Sequence, residues 1–171
     1  VNGRLNKQRI NLIKEGDSYR LQSGKSINVF GDIGLGLQMF DRLNGVSNKC
    51  GIYEIELYRN NILIYHDRKD KFSFHETRYL NALVDYEERV KNKRWIHLNY
   101  ILPNNKLSIY PSNVGDGIFS IDPGKVDSFK YIIKDTYGNT STIIFEITGS
   151  DVNPQRQEVI GQKTARTFKC G

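Results

Sequence analysis

The sequence predicts an all-β fold, an immunoglobulin-like β-sandwich with a short helical excursion. Two observations lead to this prediction. Short segments in which apolar and polar residues alternate recur along the 171-residue chain, and turn residues separate them about every eight to twelve positions. A strong hairpin signal lies toward the end of the chain, at residues 126–147. Together these features indicate about eight to ten short strands.

The predicted hairpin has two arms with the period of two that is expected of half-buried strands. Its apolar positions are Phe129, Tyr131 and Ile133 in the first arm and Ile143, Phe145 and Ile147 in the second. Between the arms, the segment DTYGNT at 135–140 contains a glycine free to adopt positive φ and Asx side chains able to bond the nearby backbone. These apolar residues are therefore predicted to lie in the core.

Weaker signals of the same kind predict the other strands, at 9–14, 19–21, 27–40, 52–58, 62–66, 95–102, 107–110 and 118–121. The pair Asn60-Asn61 predicts a two-residue hairpin turn between two of them. Glycines 31, 34 and 36 interrupt the strand at 27–40 with the spacing G-x-x-G-x-G. This is the reverse of the dinucleotide fingerprint and no helix pattern follows, so bulges or close backbone approach explain these glycines better than a phosphate loop.

Residues 76–93 depart from strand patterning and predict the helical excursion. Ser73 and Glu76 have capping-box spacing, and Leu80, Leu83 and Val84 recur at helical spacing.

The sequence predicts three parts of the chain: an N-terminal extension with one or two short strands at 1–25, the immunoglobulin-like domain at 26–149, and a polar linker or the start of a following domain at 150–171.

Composition excludes some classes of partner. The net charge of +6 is compatible with anionic partners, but the basic residues are spread along the chain and the densest run, 89–94, follows several carboxylates. The basic residues are therefore interpreted as part of an ordinary solvated surface, and no nucleic-acid partner is predicted. No stretch approaches the roughly 18 apolar residues of a membrane span. Cys170 lies one residue from the last position, which favours two unpaired cysteines over a bridge to Cys50.

Catalytic motifs are scarce. His66, His75 and His97 are not spaced as a short-range chelate, which predicts structural or exposed histidines and leaves open an assembly with distant carboxylates. Serine nucleophile elbows and cysteine–histidine signatures are missing. The sequence therefore predicts no catalytic residue, no metal ligand and no cofactor, and this segment is expected not to be an enzyme.

Aromatic residues make up 11% of the chain and admit two interpretations. Trp95, flanked by Arg94 and followed by His97, fits a stacking platform for a glycan. Aromatic residues at alternate strand positions are also ordinary sandwich core, and that interpretation is favoured.

Four blocks of the sequence resemble one family: GIYEIEL, FSFHETRYLNALVDYEE, LPNNKLSIY and KDTYGNTSTIIFEI, which lie between residues 51 and 147. They are similar to the β-rich accessory domain of lysostaphin-type zinc metallopeptidases from Gram-negative bacteria. That family's catalytic zinc site uses an H-x-x-x-D and an H-x-H motif. Neither motif is recognised in this segment, so the resemblance implies no catalytic or metal residue.

The resemblance implies a middle piece of an exported enzyme of the periplasm or cell envelope, in which hydrolysis of peptidoglycan peptides belongs to another part. This segment would be a non-catalytic accessory domain that packs on or positions neighbouring domains of the same chain. The alternative is a cell-surface adhesion or glycan-binding module, with peptidoglycan or another glycan as partner. The predicted docking residues lie in the excursion: Glu76, Arg78, Tyr79, Asp85 and Tyr86.

Overall fold

A computed structural model describes residues 7–16, 18–22, 26–39, 41–42, 49–50, 52–71, 73–112 and 114–151, with backbone alone at 41–42 and 49–50. The described residues are mostly β-sheet, with two short helices. None of the helices in this part of the chain is both long and apolar enough to cross a membrane. The predicted linker lies almost wholly outside the described residues, as do the side chains of Cys50 and Cys170.

The described residues form thirteen strands, listed in chain order: β1 (Leu12–Glu15), β2 (Ser18–Leu21), β3 (Ile27–Val29), β4 (Ile33–Gly34), β5 (Gly36–Leu37), β6 (Asp41–Arg42), β7 (Lys49–Cys50), β8 (Glu54–Arg59), β9 (Ile62–Arg68), β10 (His97–Leu98), β11 (Ile118–Phe119), β12 (Val126–Lys134) and β13 (Thr140–Gly149). Between β9 and β10 lie a 3₁₀ helix, Phe74–Leu83, and an α-helix, α1, Tyr86–Asn92. They fall where the sequence predicts the helical excursion.

Seven of these strands form one mixed sheet in the order β1-β2-β13-β12-β8-β9, with β3 beside β13 as well. Strand β13 pairs antiparallel with β12, whereas its other edge pairs in parallel with β2 and then with β3. Strands β1 and β2, from the predicted N-terminal extension, are therefore part of this sheet. Three two-stranded ladders lie beside it: β4 with β11, β5 with β10, and β6 with β7.

The hairpin predicted at 126–147 is confirmed as β12 and β13, which pair from Val126 and Thr148 to Lys134 and Thr140. Its turn is built around Asp135, whose Oδ1 accepts the backbone N–H groups of Tyr137 at 2.8 Å and Asn139 at 2.9 Å. Gly138 has a φ of 85°. Both turn features expected from the sequence are therefore present.

The second predicted hairpin is β8 and β9. Asn60 and Asn61 adopt φ values of 47° and 66°, as the two central residues of a type I′ turn do, and this turn matches the right-handed twist of the strands. The register of the pair shifts by one residue between Leu57 and Tyr58. A β-bulge of this kind changes which side chains share a face beyond it.

The core lies on one face of the main sheet, and residues of the β4–β11 and β5–β10 ladders pack against it. Leu37 of β5 and Phe119 of β11 belong to the same apolar cluster as the sheet residues. Phe145 is only partly buried, although its ring stacks on Phe129 at 5.6 Å between centroids. The apolar sheet residues with the least exposure are Ile55, Leu57, Tyr65, Phe129, Tyr131, Ile133, Ile143 and Ile147.

Two strand predictions are wrong. Residues 27–40 form three short strands instead of one long strand, because β3 joins the main sheet whereas β4 and β5 pair with different ladders. Gly34 permits this path, since a Cβ there would lie 2.5 Å from the ring of Tyr100. Residues 107–110 form no strand: Leu107 and Ile109 instead enter a second, smaller apolar cluster with Leu83.

Candidate functional site

The helical excursion, defined here as residues 74–93, begins with a carboxylate that fixes the first helix. The 3₁₀ helix follows Ser73, whose backbone N–H donates to Glu76 Oε2 at 2.9 Å, the contact that a capping box supplies. The second oxygen, Glu76 Oε1, accepts the backbone N–H of Ser108 at 2.8 Å. Glu76 therefore ties the excursion to the segment at 107–110.

Helix α1 is held at both ends. Asp85 is its N-cap and accepts the backbone N–H of Glu88 at 3.2 Å, and Lys93 ends it in the left-handed conformation with a φ of 55°. Lys7 forms ion pairs with Asp85 at 2.8 Å and with Glu87 at 2.9 Å. The N-terminal segment thus fastens α1 to the domain, and Asp85 serves to stabilise the helix.

The underside of the excursion is apolar. Leu83 packs with Leu107 and Ile109, and Tyr79 and Leu80 contact this cluster from its edge. Burial of this kind stabilises by roughly 25 cal/mol for each Å² of apolar surface removed from water. The excursion is therefore packed onto the domain and is not a free loop.

A buried carboxylate lies on β9, the strand that precedes the excursion. Asp67 is completely inaccessible to solvent and accepts the Tyr65 hydroxyl at 2.7 Å, while the His97 ring nitrogen lies 3.0 Å away. Lys69 pairs with its other oxygen. Burial alone would raise the pKa of Asp67, but the hydrogen bond and charge of His97 and the charge of Lys69 outweigh burial and hold that pKa well below its ordinary range.

The outer side of α1 presents an aromatic and apolar surface, defined here as the α1 face: Tyr86, Arg89, Val90 and Trp95. Residues three and four positions apart share one side of a helix, so Tyr86 lies beside Arg89 and Val90. Tyr86 is 62% exposed, and Val90 and Trp95 are exposed as well. The Arg89 guanidinium lies 4.1 Å from the centre of the Trp95 ring, a cation–π contact that joins Trp95 to the helix.

The five residues predicted to dock a neighbouring domain fall into two groups. Glu76 and Asp85 are engaged in the backbone and ion-pair contacts described above, and Tyr79 is partly buried in the small cluster. Arg78 and Tyr86 are exposed. The structure therefore leaves Arg78 and Tyr86 on the surface. Val90 on α1 and Trp95 just beyond the helix are exposed as well, and the sequence analysis did not group them with Arg78 and Tyr86.

The two residues of the predicted glycan platform lie in different environments, one exposed to solvent and the other in contact with a buried carboxylate. Trp95 is exposed, but Arg89 covers one face of its ring. The ring of His97 contacts buried Asp67. The two side chains therefore do not form one continuous stacking surface, and a sugar would have only the uncovered face of Trp95.

Among the residues that the structure describes, one group of three side chains could hold a metal ion: Glu54, Glu56 and His66. His66 and Asp70 also have the H-x-x-x-D spacing of the family's first zinc motif, a match that the sequence analysis missed. Asp70 is not part of the three-residue group, because its carboxylate pairs with Arg68 at 2.7 Å and with the Tyr53 hydroxyl. The motif spacing therefore does not assemble the family's zinc site here.

Comparison of the chain with protein-family models, with curated proteins and with solved structures finds no match.

Proposed function

We propose that this chain is an immunoglobulin-like, non-catalytic accessory domain of an exported cell-wall metallopeptidase, and that it packs on a neighbouring domain of the same protein through the α1 face. The observation that carries the proposal is the exposure of Tyr86 and Val90 on a helix that is otherwise firmly held, next to exposed Trp95 just beyond its end. An apolar surface on a rigid support is typical of an interaction site.

Rigidity matters because it lowers the entropic cost of association. Glu76 and Lys7 fix the excursion from outside, and the apolar cluster at Leu83 fixes it from beneath. The mixture of aromatic and basic side chains on the α1 face also suits an interface between domains of one chain. Such interfaces typically cover about 600–1,500 Å² and are fairly polar.

The resemblance in the block at 72–88 supports a lysostaphin-type metallopeptidase as the parent enzyme. This block covers residues 74–88 of the excursion and includes Tyr86 of the α1 face, so the most distinctive family segment leads directly into that face. The non-catalytic role is supported by the way its carboxylates are used, since Glu76 and Asp85 cap helices and Asp67 is enclosed by its partners. Peptide hydrolysis is assigned to another part of the enzyme.

Hydrogen exchange on this chain alone and on the full-length gene product tests the docking surface. We expect added protection across residues 74–93 in the full-length protein, because a docked neighbour shields the amides of α1. Identical exchange of this segment in both proteins would contradict the proposal.

A matched pair of variants separates the α1 face from general surface hydrophobicity. Tyr86→Ser with Val90→Ser should weaken binding of the neighbouring domain, added as a separate protein, by tenfold or more. The control, Ile62→Ser with Tyr137→Ser, removes two other exposed apolar side chains and should leave the affinity unchanged. Equal effects of the two double variants would argue against a specific face.

The glycan-binding alternative depends on Trp95 and makes a different prediction. Trp95→Ala should then abolish binding to purified glycan strands while the affinity for the neighbouring domain changes little. A sugar can stack on an aromatic ring only where a ring face is open. Arg89 covers one of the two faces of the Trp95 ring. We therefore favour docking to a domain.

A further inference from the structure

Three side chains with metal-ligating atoms meet on the outer face of the main sheet, the side opposite the core. Glu56 on β8 is the direct cross-strand partner of His66 on β9. Glu54 lies two residues before Glu56 and therefore on the same face. One ligand atom from each of the three lies within 4.8 Å of the others.

The sheet holds these residues in place before any ion binds. β8 is paired on both edges, with β9 and β12, so the backbone of Glu54 and Glu56 is fixed by two ladders. The side chain of Glu54 is buried, and those of Glu56 and His66 are partly buried. A site of this kind is preorganised and keeps one side open to solvent.

A cation already lies among the carboxylates. Lys134 Nζ is 2.9 Å from Glu54 Oε2 and 3.7 Å from Glu56 Oε1. The two carboxylates and the one ammonium together carry a net charge of minus one, which favours a cation. The Lys134 side chain is 33% exposed, so its ammonium can turn into solvent when a divalent ion takes its place.

An outer contact orients one of the carboxylates. The Tyr58 hydroxyl donates to Glu56 Oε2 at 3.2 Å. Contacts of this kind hold a ligand in position and are characteristic of metal sites. The opposite end of the group is held by His66 Nε2, which lies 2.8 Å from Glu54 Oε1.

We propose that Glu54, Glu56 and His66 form a binding site for Zn²⁺, in which the ion displaces the ammonium of Lys134. One imidazole and two carboxylates are donors that suit Zn²⁺, whereas Ca²⁺ and Mg²⁺ prefer oxygen ligands alone. The ion would link β8 to β9 on the outer face. This site differs from the family's catalytic centre, which requires the H-x-H motif, and it is independent of docking through α1.

Titration of the full chain with Co²⁺, a spectroscopic substitute for Zn²⁺, tests the site. We expect one Co²⁺ to bind per chain, with visible absorption bands that Zn²⁺ removes by competition. His66→Asn and Glu56→Gln should each weaken binding about tenfold or more. His75→Asn and Glu146→Gln are the matched controls, because both original side chains are exposed and lie outside the group, and they should leave the affinity unchanged.

Lys134→Met gives the most specific result. It keeps all three ligands and removes the competing ammonium, so it should tighten Co²⁺ binding several-fold. Circular dichroism will show whether each variant folds. If a ligand variant does not fold, Lys134→Met still tests the site, because it leaves all three ligands in place. The proposal is overturned if Co²⁺ and Zn²⁺ do not bind saturably at millimolar concentration, if His66→Asn binds as the parent does, or if Lys134→Met weakens binding.

Discussion

His97 Nε2 lies 3.0 Å from Oδ2 of Asp67, and this contact joins the end of the helical excursion to the main sheet. Asp67 belongs to β9, the last strand before the excursion, and His97 begins β10, directly after it. Because Asp67 is fully buried, its carboxylate depends on these protein partners in place of water. The contact thus joins the strand before the excursion to the strand after it.

Asp67→Asn should destabilise the domain by about 3 kcal/mol, because it removes one charge from a buried, paired set and leaves Lys69 without its counterion. Urea unfolding measures this change. Asp70→Asn is the control: that carboxylate also pairs with a basic neighbour but is exposed, so its loss should matter much less. If the two variants lose the same stability, Asp67 is not the anchor that its burial indicates.

Phe129 is predicted to be a main core contact. Its side chain is 1% exposed, and its ring lies between those of Phe119 at 4.7 Å and Phe145 at 5.6 Å. Phe129→Ala should cost about 3–5 kcal/mol in denaturant unfolding, and Phe145→Ala should cost less because Phe145 is partly exposed. Ile144→Ala, at an outer position that is 60% exposed, should change stability by less than about 0.5 kcal/mol. A loss below about 1 kcal/mol for Phe129→Ala would refute this core assignment.

Local patterns were enough to predict the two long hairpins. Alternation in 126–147 identifies the buried face of β12, and the glycine and Asx residues of the turn have the conformations that their chemistry favours. The same holds for the helical excursion, whose capping residues Ser73 and Glu76 act within four positions of each other. These features need no information about distant parts of the chain.

The outer-face site required information that the sequence pattern does not contain. An uninterrupted hairpin with its turn at Asn60-Asn61 would place His66 opposite Ile55, on the core side. The register shift near Leu57 instead places it opposite Glu56. A β-bulge reverses the facing of every residue beyond it. The sequence offers no distinct signal for that bulge, and for this reason the three ligands could not be grouped in advance.

Asp135 is predicted to make the stability of the hairpin depend on pH. Burial opposes its ionisation, but hydrogen bonds from the side chain and backbone of Asn139 and from nearby amides outweigh burial and lower its pKa. An acid whose pKa is lower in the folded state stabilises fully above its unfolded pKa, about 3.9, and loses that contribution as the pH falls through the folded pKa.

Urea unfolding over a series of pH values measures this effect. The difference in stability between the parent and Asp135→Asn should be constant above about pH 5 and should shrink below it. Glu146→Gln removes an exposed carboxylate elsewhere on the hairpin and controls for the loss of one negative charge. A difference between parent and Asp135→Asn that stays constant down to the acid transition would show that the ionised form has no special role in the turn.

Gly138 is predicted to be required for its backbone conformation alone. Its φ is 85°, and a Cβ added there would meet no atom within 4 Å. Gly138→Ala should therefore destabilise the domain by about 1 kcal/mol, because side chains disfavour this region. Gly138→Asn should lose less, since asparagine tolerates the left-handed conformation better than alanine. Equal losses for the two variants would point to a steric cause, and a stabilised alanine variant would mean that the turn adopts a different backbone in solution.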